Sequence, residues 1–199
     1  DEIKAEAAET VQYLRDLGVK NIIMLTGDDQ SAAAQVAMET GIKRYYSRLL
    51  PEDKLRRIEM LKRRADERES VMFVGDGIND APVLTAADVG VAMGGIGSDA
   101  AVEAADIVLM KDDLRTLPRG IKIARYTRKI VIQNIVGALG VKIAVLGLGV
   151  AGMATMWAAV FADVGVALLA VGNSLRVIAA FRGGDRPLGR HNPLGRHEV

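Results

Sequence analysis

The strongest constraint on this chain is a region almost free of charge. Residues 130–181 contain only Lys142, Asp163 and Arg176 as charged side chains. Within them, residues 130–152 form an apolar stretch long enough to cross a hydrocarbon core of about 30 Å at about 1.5 Å per helical residue. A second stretch, 156–181, is separated from the first by the uncharged Met153-Ala154-Thr155. Arg125, Arg128 and Lys129 precede the first stretch, and Arg176, Arg182, Arg186 and Arg190 lie at or beyond the end of the second. Because positive charge collects on the cytoplasmic side of a membrane, both ends are expected in the cytoplasm and the connection outside. Tyr126 and Trp157 fall near the two interfaces, where amphipathic rings settle. Gly137, Gly140, Gly147, Gly149 and Gly152 would keep the first helix thin enough for close approach by others. The alternative, a buried helical hairpin of a soluble protein, fits the length, flanking charge and aromatics poorly.

The residues before this region are of a different kind. The 199 residues carry 26 basic and 25 acidic side chains for a net charge of +1, and most of the charges precede residue 130. So even a balance argues against nucleic acid as the main partner. About 130 residues suffice for one hydrophobic core, so a water-exposed lobe is expected ahead of two membrane spans. The expected divisions are a lobe over 1–117, a linker helix and two spans over 118–181, and a disordered basic tail over 182–199. With no cysteine, neither a disulfide framework nor a thiolate metal site can be built from this chain. No secretory signal is visible in the polar opening Asp1-Glu2-Ile3-Lys4.

Along the lobe, strand-like and helix-like segments alternate. Residues 4–17 predict an amphipathic helix with Ala7, Val11 and Leu14 on its buried stripe, ended by Gly18. Residues 21–25 predict a short strand running into Thr26-Gly27-Asp28-Asp29. A helix follows over 31–39, closed by Gly41, then a weak strand near Tyr45-Tyr46. Pro51 starts a helix that runs to about Arg64. The apolar run Val71-Met72-Phe73-Val74 predicts a buried strand that stops at Gly75-Asp76-Gly77-Ile78-Asn79-Asp80. Further short strands are expected over 88–92 and 107–110, with the flexible Gly94-Gly95-Ile96-Gly97-Ser98-Asp99 between them. Alternation of this kind implies an α/β fold with a parallel, helix-covered sheet, and such sheets hold ligands at the carboxyl ends of their strands.

Two strand ends carry chemistry there. Asp76 can offer a carboxylate oxygen to a hard cation, and magnesium takes one or two such carboxylates with phosphate oxygens completing its shell. Gly75 and Gly77 are expected to let the backbone turn sharply and approach a ligand, while Asn79 and Asp80 face the same mouth. Thr26 can donate to a phosphoryl oxygen, the amides of Gly27 and Asp28 add further donors, and Lys54 is a mobile positive charge suited to a transferring phosphoryl group. Each feature has a plainer reading: a tight turn, a capped helix, or a solvated lysine.

The order Thr26-Gly27-Asp28, then Pro51-Glu52-Asp53-Lys54, then Gly75-Asp76-Gly77-Ile78-Asn79-Asp80 is far less common than any part of it. It resembles the phosphorylation domain of P-type ATPases, members of the haloacid dehalogenase superfamily. The resemblance spans nearly the whole chain and implies that Thr26 contacts an aspartyl phosphate and that Lys54 neutralises it. It also implies that Asp76 binds Mg2+, that Asn79 touches phosphate, and that Asp80 holds both the magnesium shell and Lys54. ATP would be the phosphoryl donor. The family's phosphorylated Asp-Lys-Thr-Gly segment does not occur in this sequence. Nor do the nucleotide-binding domain and earlier transmembrane helices that precede these motifs in the family. The expectation is therefore the carboxy-terminal part of a pump, inactive alone, whose partner is the missing N-terminal portion.

An intramembrane charge costs at least about 2.5 kcal/mol, so Lys142 and Asp163 are expected either to pair or to mark a pathway; the plainer alternative is that each snorkels or packs independently against helices outside this sequence. Counted from the external turn at 1.5 Å per residue, they lie about 15 and 10 Å deep, a difference that a lysine stem can bridge. Asn134-Ile135 followed by Lys142, then Ala162-Asp163-Val164-Gly165, resembles the zinc, cadmium and lead exporters of the heavy-metal branch. Met93-Gly94-Gly95 with Ser98-Asp99-Ala100 is similar to them too. This likeness implies Asp163 as one ligand of a transported Zn2+, Cd2+ or Pb2+, and Lys142 as its counter-charge. A carboxylate suits zinc, whereas copper(I) favours sulfur ligands.

Pro187-Leu188-Gly189-Arg190-His191 recurs as Pro193-Leu194-Gly195-Arg196-His197 and holds both histidines of the chain; its Gly, Pro and Arg content is that of a disordered, basic juxtamembrane extension, with a metal-sensing tail as the alternative. Three readings stay open. The first is part of a heavy-metal pump in the cell membrane. The second is a membrane-anchored phosphatase of the same superfamily, and the third is a non-enzymatic membrane module.

Overall fold

The computed structural model describes residues 6–75, 78–93, 99–110, 113–153 and 155–182. The chain divides into two compact units, Asp1–Gly120 and Ile121–Val199.

The first unit alternates helices and parallel strands: α1 (Glu6–Asp16), β1 (Ile23–Leu25), α2 (Gln30–Thr40), β2 (Arg44–Tyr46), α3 (Pro51–Arg64), β3 (Met72–Gly75), a 3-10 turn (Ile78–Asp80), α4 (Ala81–Ala86), β4 (Val89–Met93), α5 (Asp99–Ala104) and β5 (Ile107–Leu109). The expected elements are present, with ends shifted by a residue or two; any helical start before Glu6, and the loop over 94–98, lie outside the described residues. Helix ends follow the chain's own punctuation. Gly18 has φ +82°, and with Val19 it returns N–H groups to the carbonyls of Arg15 and Leu14, a Schellman cap on α1. Gly41, at φ +72°, ends α2. Asp29 starts α2, its carboxylate accepting from the Ser31 and Ala32 amides at 2.8 and 2.9 Å and from the Ser31 hydroxyl at 2.7 Å.

The single sheet expected from the sequence is divided in two. β1 pairs with β2, and separately β4 pairs with both β3 and β5, all in parallel. One edge of β1 and one edge of β3 therefore have no strand partner among the described residues.

Period-two alternation along β4 sorts the core into two layers. Ala92 faces a cluster with Ile58, Phe73, Val83, Leu84 and Ala101, against which Leu25, Leu55 and Leu61 also pack. Val91 and Met93 face the other way, into a cluster with Leu109 and Leu117 lined by Leu14 and Val74. Helices α3, α4 and α5 thus cover one face, while α1 and the segment around Leu114 and Leu117 cover the other. Gly90, on the first face, lies so close to α4 that an added Cβ would stand 2.6 Å from the Leu84 carbonyl oxygen.

Two long helices, α6 (Thr116–Val150) and α7 (Met156–Phe181), follow among the described residues. Both are long and apolar enough to cross a bilayer. At 35 residues α6 spans about 52 Å, so its charged first turns form one continuous helix with the span rather than a separate linker. The structure assigns Gly152 a different part from the packing role expected of it. At φ +72°, its N–H bonds the Gly149 carbonyl and that of Met153 bonds Leu148, so it caps the C-terminus of α6. Residues 183–199, including the Pro-Leu-Gly-Arg-His repeat, lie outside the described residues.

Candidate functional site

The β1 end is tied to the β2–α3 connection by backbone bonds. The Thr26 N–H donates to Tyr46 O at 3.0 Å, Leu49 N–H donates to Thr26 O at 3.0 Å, and Arg48 N–H donates to Asp28 O at 2.8 Å. Arg48 makes its bond from the left-handed region, at φ 54°, the only described non-glycine residue there. The Thr26 hydroxyl donates to Asp28 Oδ2 at 2.7 Å and accepts from the Asp28 amide at 3.1 Å. With Asp29 committed to capping α2, its carboxyl is held below the usual range, chiefly by the Ala32 amide and then by Ser31. Of the two aspartates after Gly27, Asp29 serves the helix and Asp28 stays with the threonine.

The second cluster forms where α3 begins. Pro51 occupies the first helical position, and Asp53 accepts from the Leu50 N–H at 3.2 Å, a cap from within the helix where the Leu50 side chain has no acceptor to offer. Arg57, one turn further on, stacks 3.9 Å over the Tyr46 ring and seats α3 on β2. That leaves Lys54 directed inward, its Nζ 2.9 Å from Asp80 Oδ1. The Lys54 and Asp80 side chains are only 18% and 10% exposed. Asp80 closes the 3-10 turn after β3, and its other oxygen lies 3.0 Å from where a Gly75 Cβ would stand. Gly75 therefore answers a need for room rather than the expected sharp turn: it lies in strand β3, and any side chain would strike Asp80 and Phe73. Asn79 is exposed on the same turn. Asp76 and Gly77 lie outside the described residues. The structure thus brings Lys54 to Asp80, and gathers Thr26, Gly27 and Asp28 on one loop. Thr26 and Asp28 bond each other rather than Lys54 or Asp80.

In the second unit, Lys142 Nζ and Asp163 Oδ1 are 3.0 Å apart, so the two charges within the apolar helices meet. Nearer the other end of the hairpin, Asn134 donates to Ala170 O and to Ser174 Oγ, at 3.1 and 3.0 Å, and accepts from Asn173 at 2.8 Å. Asn173 and Ser174 escaped the sequence reading, although uncharged polar residues inside an apolar span are themselves a signal of contact between helices. Arg48 escaped it too, because a positive φ at a non-glycine residue leaves no mark in sequence. No group of three or more His, Cys, Asp or Glu side chains gathers among the described residues.

Residues 1–88 match the family of haloacid dehalogenase-like hydrolases. Over 178 residues, 89% of this chain, it is 56% identical to the cadmium, zinc and cobalt-transporting ATPase of Bacillus subtilis, covering 25% of that protein. It is 51% identical over 177 residues to the zinc-transporting ATPase of Synechocystis, covering 24% of it. Among solved structures, a zinc-transporting PIB-type ATPase in its E2.Pi state matches 89% of this chain and 28% of its own, with 43% identity and a TM-score of 0.83. The chain spans about a quarter of the length of the curated relatives it matches.

Proposed function

We propose, from the premise that this chain belongs to the P-type ATPase family, that it is the energy-coupling and exit-side portion of an ATP-driven exporter of a divalent heavy metal. Zinc and cadmium are the proposed cargo, with cobalt beside them, as the relatives' names suggest; lead, also expected from sequence, is not among the metals in those names. The observation that carries this reading is the Lys142–Asp163 pair, 3.0 Å apart within two bilayer-length apolar helices. A carboxylate suits a borderline cation such as zinc, and an adjacent ammonium keeps that carboxylate compensated whenever the cation is absent. The helices are proposed to lie in the cell membrane with both ends cytoplasmic.

In the lobe, the proposed chemistry is transfer of the γ-phosphoryl of ATP to an aspartate of an Asp-Lys-Thr-Gly segment, followed by hydrolysis. A carboxylate oxygen attacks the γ-phosphorus and ADP leaves; water then attacks the same phosphorus and frees phosphate. The unpartnered edges of β1 and β3 suggest that the strand bearing this segment lies between them, since buried backbone donors and acceptors require partners. Thr26 and the amides of Gly27 and Asp28 would bind the phosphoryl oxygens, with Asn79 at the rim. Lys54 would neutralise their developing charge, and Asp80 would hold Lys54 in place. Oxygen donors limited to one or two carboxylates suit magnesium better than a softer ion, so Asp76 and Asp80 are proposed to hold Mg2+. When bound, it would offset phosphoryl charge.

The test uses a full-length pump carrying this sequence. Asp163→Ala should abolish metal-stimulated ATPase activity and reduce bound metal, while phosphorylation from inorganic phosphate survives. Full metal stimulation in well-expressed Asp163→Ala would overturn the assignment.

A further inference from the structure

The two spans contain few non-aromatic polar side chains: Gln133, Asn134 and Lys142 on α6 after residue 129, and Asp163, Asn173, Ser174 and Arg176 on α7. All are engaged, in two belts. The outer belt is the Lys142–Asp163 pair. The inner belt centres on Asn134, whose amide nitrogen donates to Ala170 O and Ser174 Oγ and whose oxygen accepts from Asn173. Asn173 also reaches Gln133 Oε1 at 3.5 Å and accepts from Arg176 at 2.9 Å, and Ser174 donates to Ala170 O at 2.8 Å. We propose that Asn134 and Asn173 are positioning residues that lock the register of the α6–α7 hairpin and so bring Lys142 to Asp163.

Tyr126 meets Phe181 edge-on at the inner end of the hairpin, ring centroids 5.7 Å apart, but between the two belts apolar packing does not set this register. A Cβ added at Gly137, Gly140, Gly147, Gly149, Gly165 or Gly172 would meet nothing within 4 Å, so no small-residue seam joins the two helices. Ile135, Leu139, Leu146, Leu168, Leu169 and Leu175 are each more than half exposed. Smooth apolar faces in lipid pack about equally well at neighbouring registers, whereas a hydrogen bond has one geometry. The spacing of the belts agrees with a single register. Lys142 lies eight residues outward of Asn134, about 12 Å, and Asp163 ten residues outward of Asn173, about 15 Å. The lysine stem absorbs the difference. A slip of one helical turn, about 5.4 Å, would break the three bonds of Asn134 and the ion pair together. The contact with Ala170 O matters most, because a bond to backbone senses the position of α7 itself and not one of its rotamers. Every polar atom of Asn134 and Asn173 has a partner, and a fully satisfied network of this kind specifies one arrangement. The functional consequence rests on the reading of Asp163 as a transport ligand; the geometry does not.

The absence of cysteine makes the geometry measurable in the 199-residue chain reconstituted in lipid nanodiscs. A Lys142→Cys/Asp163→Cys pair removes the outer belt, so bridging by a short bis-methanethiosulfonate reagent reports what the inner belt alone holds in place. Bridging should be efficient with Asn134 intact and fall at least fivefold with Asn134→Leu or Asn173→Leu. It should then move to pairs of Lys142→Cys with Ala159→Cys or Ala167→Cys, one turn away. Asn134→Gln, which keeps an amide, should restore at least half. A Val150→Cys/Met156→Cys pair, kept near by the short connection even after a slip, should still bridge detectably in all backgrounds. Leucine favours membrane insertion, so lost bridging cannot be lost insertion while that control pair bridges. Unchanged bridging of the Lys142→Cys/Asp163→Cys pair in both leucine variants would overturn the register lock. In the full-length pump with Lys142 and Asp163 intact, metal binding retained in Asn134→Leu, the variant whose cysteine pair no longer bridges, would leave the lock standing and remove Asp163 from the transport site.

Discussion

The Lys54–Asp80 pair gives an asymmetric and measurable prediction. At 2.9 Å and an effective dielectric of about 20, the attraction is about 6 kcal/mol, and desolvation of the two ions offsets most of it. The intact pair is therefore worth little, but a partner left behind is costly. The two are not equally trapped. Lysine can swing its ammonium to water along a flexible stem, whereas Asp80 is short, 7% exposed and packed over Gly75. Lys54→Met strands a buried carboxylate and should cost about 3–5 kcal/mol. Asp80→Asn leaves a lysine that can escape and should cost about 1–3 kcal/mol. The double variant should be more stable than the sum of the singles by at least about 1 kcal/mol. Pulse proteolysis of the whole chain in detergent, across a urea series, reads unfolding of the lobe while micelles shield the hairpin. If Lys54→Met cost under about 1 kcal/mol and the coupling vanished, the pair would behave like an exposed one. Asp80 could not then be what fixes Lys54.

Two further predictions use the same assay. Gly90→Ala should destabilise the lobe by at least about 3 kcal/mol, because the new methyl meets α4 backbone at 2.6 Å; Gly120→Ala, with open space at its Cβ, should be near neutral. Asp88 accepts from the Val71 amide at 2.8 Å and pairs with Lys62 at 3.0 Å, and the Val71 bond, then Lys62, holds its carboxyl below the ordinary value of 3.8. A lowered folded-state pKa gives stability that is present above the unfolded value and lost as pH falls through the folded one. Asp88→Asn should thus lose stability at pH 7, and its gap to the parent chain should narrow below about pH 4; a gap constant from pH 7 to 2 would refute the assignment.

How much was legible in sequence follows from the kind of information each feature carries. Pro51, Gly18, Gly41 and Asp29 act within four residues of themselves, so the helix ends they set could be named in advance. The Lys54–Asp80 contact could be anticipated only through the joint order of three motifs, since nothing local in Pro51-Glu52-Asp53-Lys54 separates an inward lysine from a solvated one. The division of the sheet could not be anticipated, because each strand's apolar run is the same whether its neighbour is present or not. The room that Gly75 makes for Asp80 could not be told from a turn for a similar reason: a glycine marks either freedom of φ or close approach, and only its surroundings distinguish them. In the hairpin, charge drew attention to Lys142 and Asp163 and away from Asn173 and Ser174, although amides can bind across helices at little insertion cost.

Two lysine–aspartate pairs of nearly equal length, 2.9 and 3.0 Å, behave differently because of what surrounds them. The Lys54–Asp80 side chains are 18% and 10% exposed, and those of Lys142 and Asp163 are 63% and 68% exposed. Taken alone, these figures would make the second pair the weaker. That exposure lies on helices long and apolar enough to cross a bilayer, and within one the surroundings would be lipid or neighbouring protein and not water. Neither charge could then be hydrated without leaving the bilayer, and neither helix could leave without breaking the Asn134 network. On the proposed reading, Asp163 can therefore give up Lys142 only to another cation. A divalent metal that binds Asp163 supplies that charge and displaces the ammonium, and the returning ammonium displaces the metal. Release is then favoured by a residue of the same hairpin, provided the inner belt keeps Lys142 within reach.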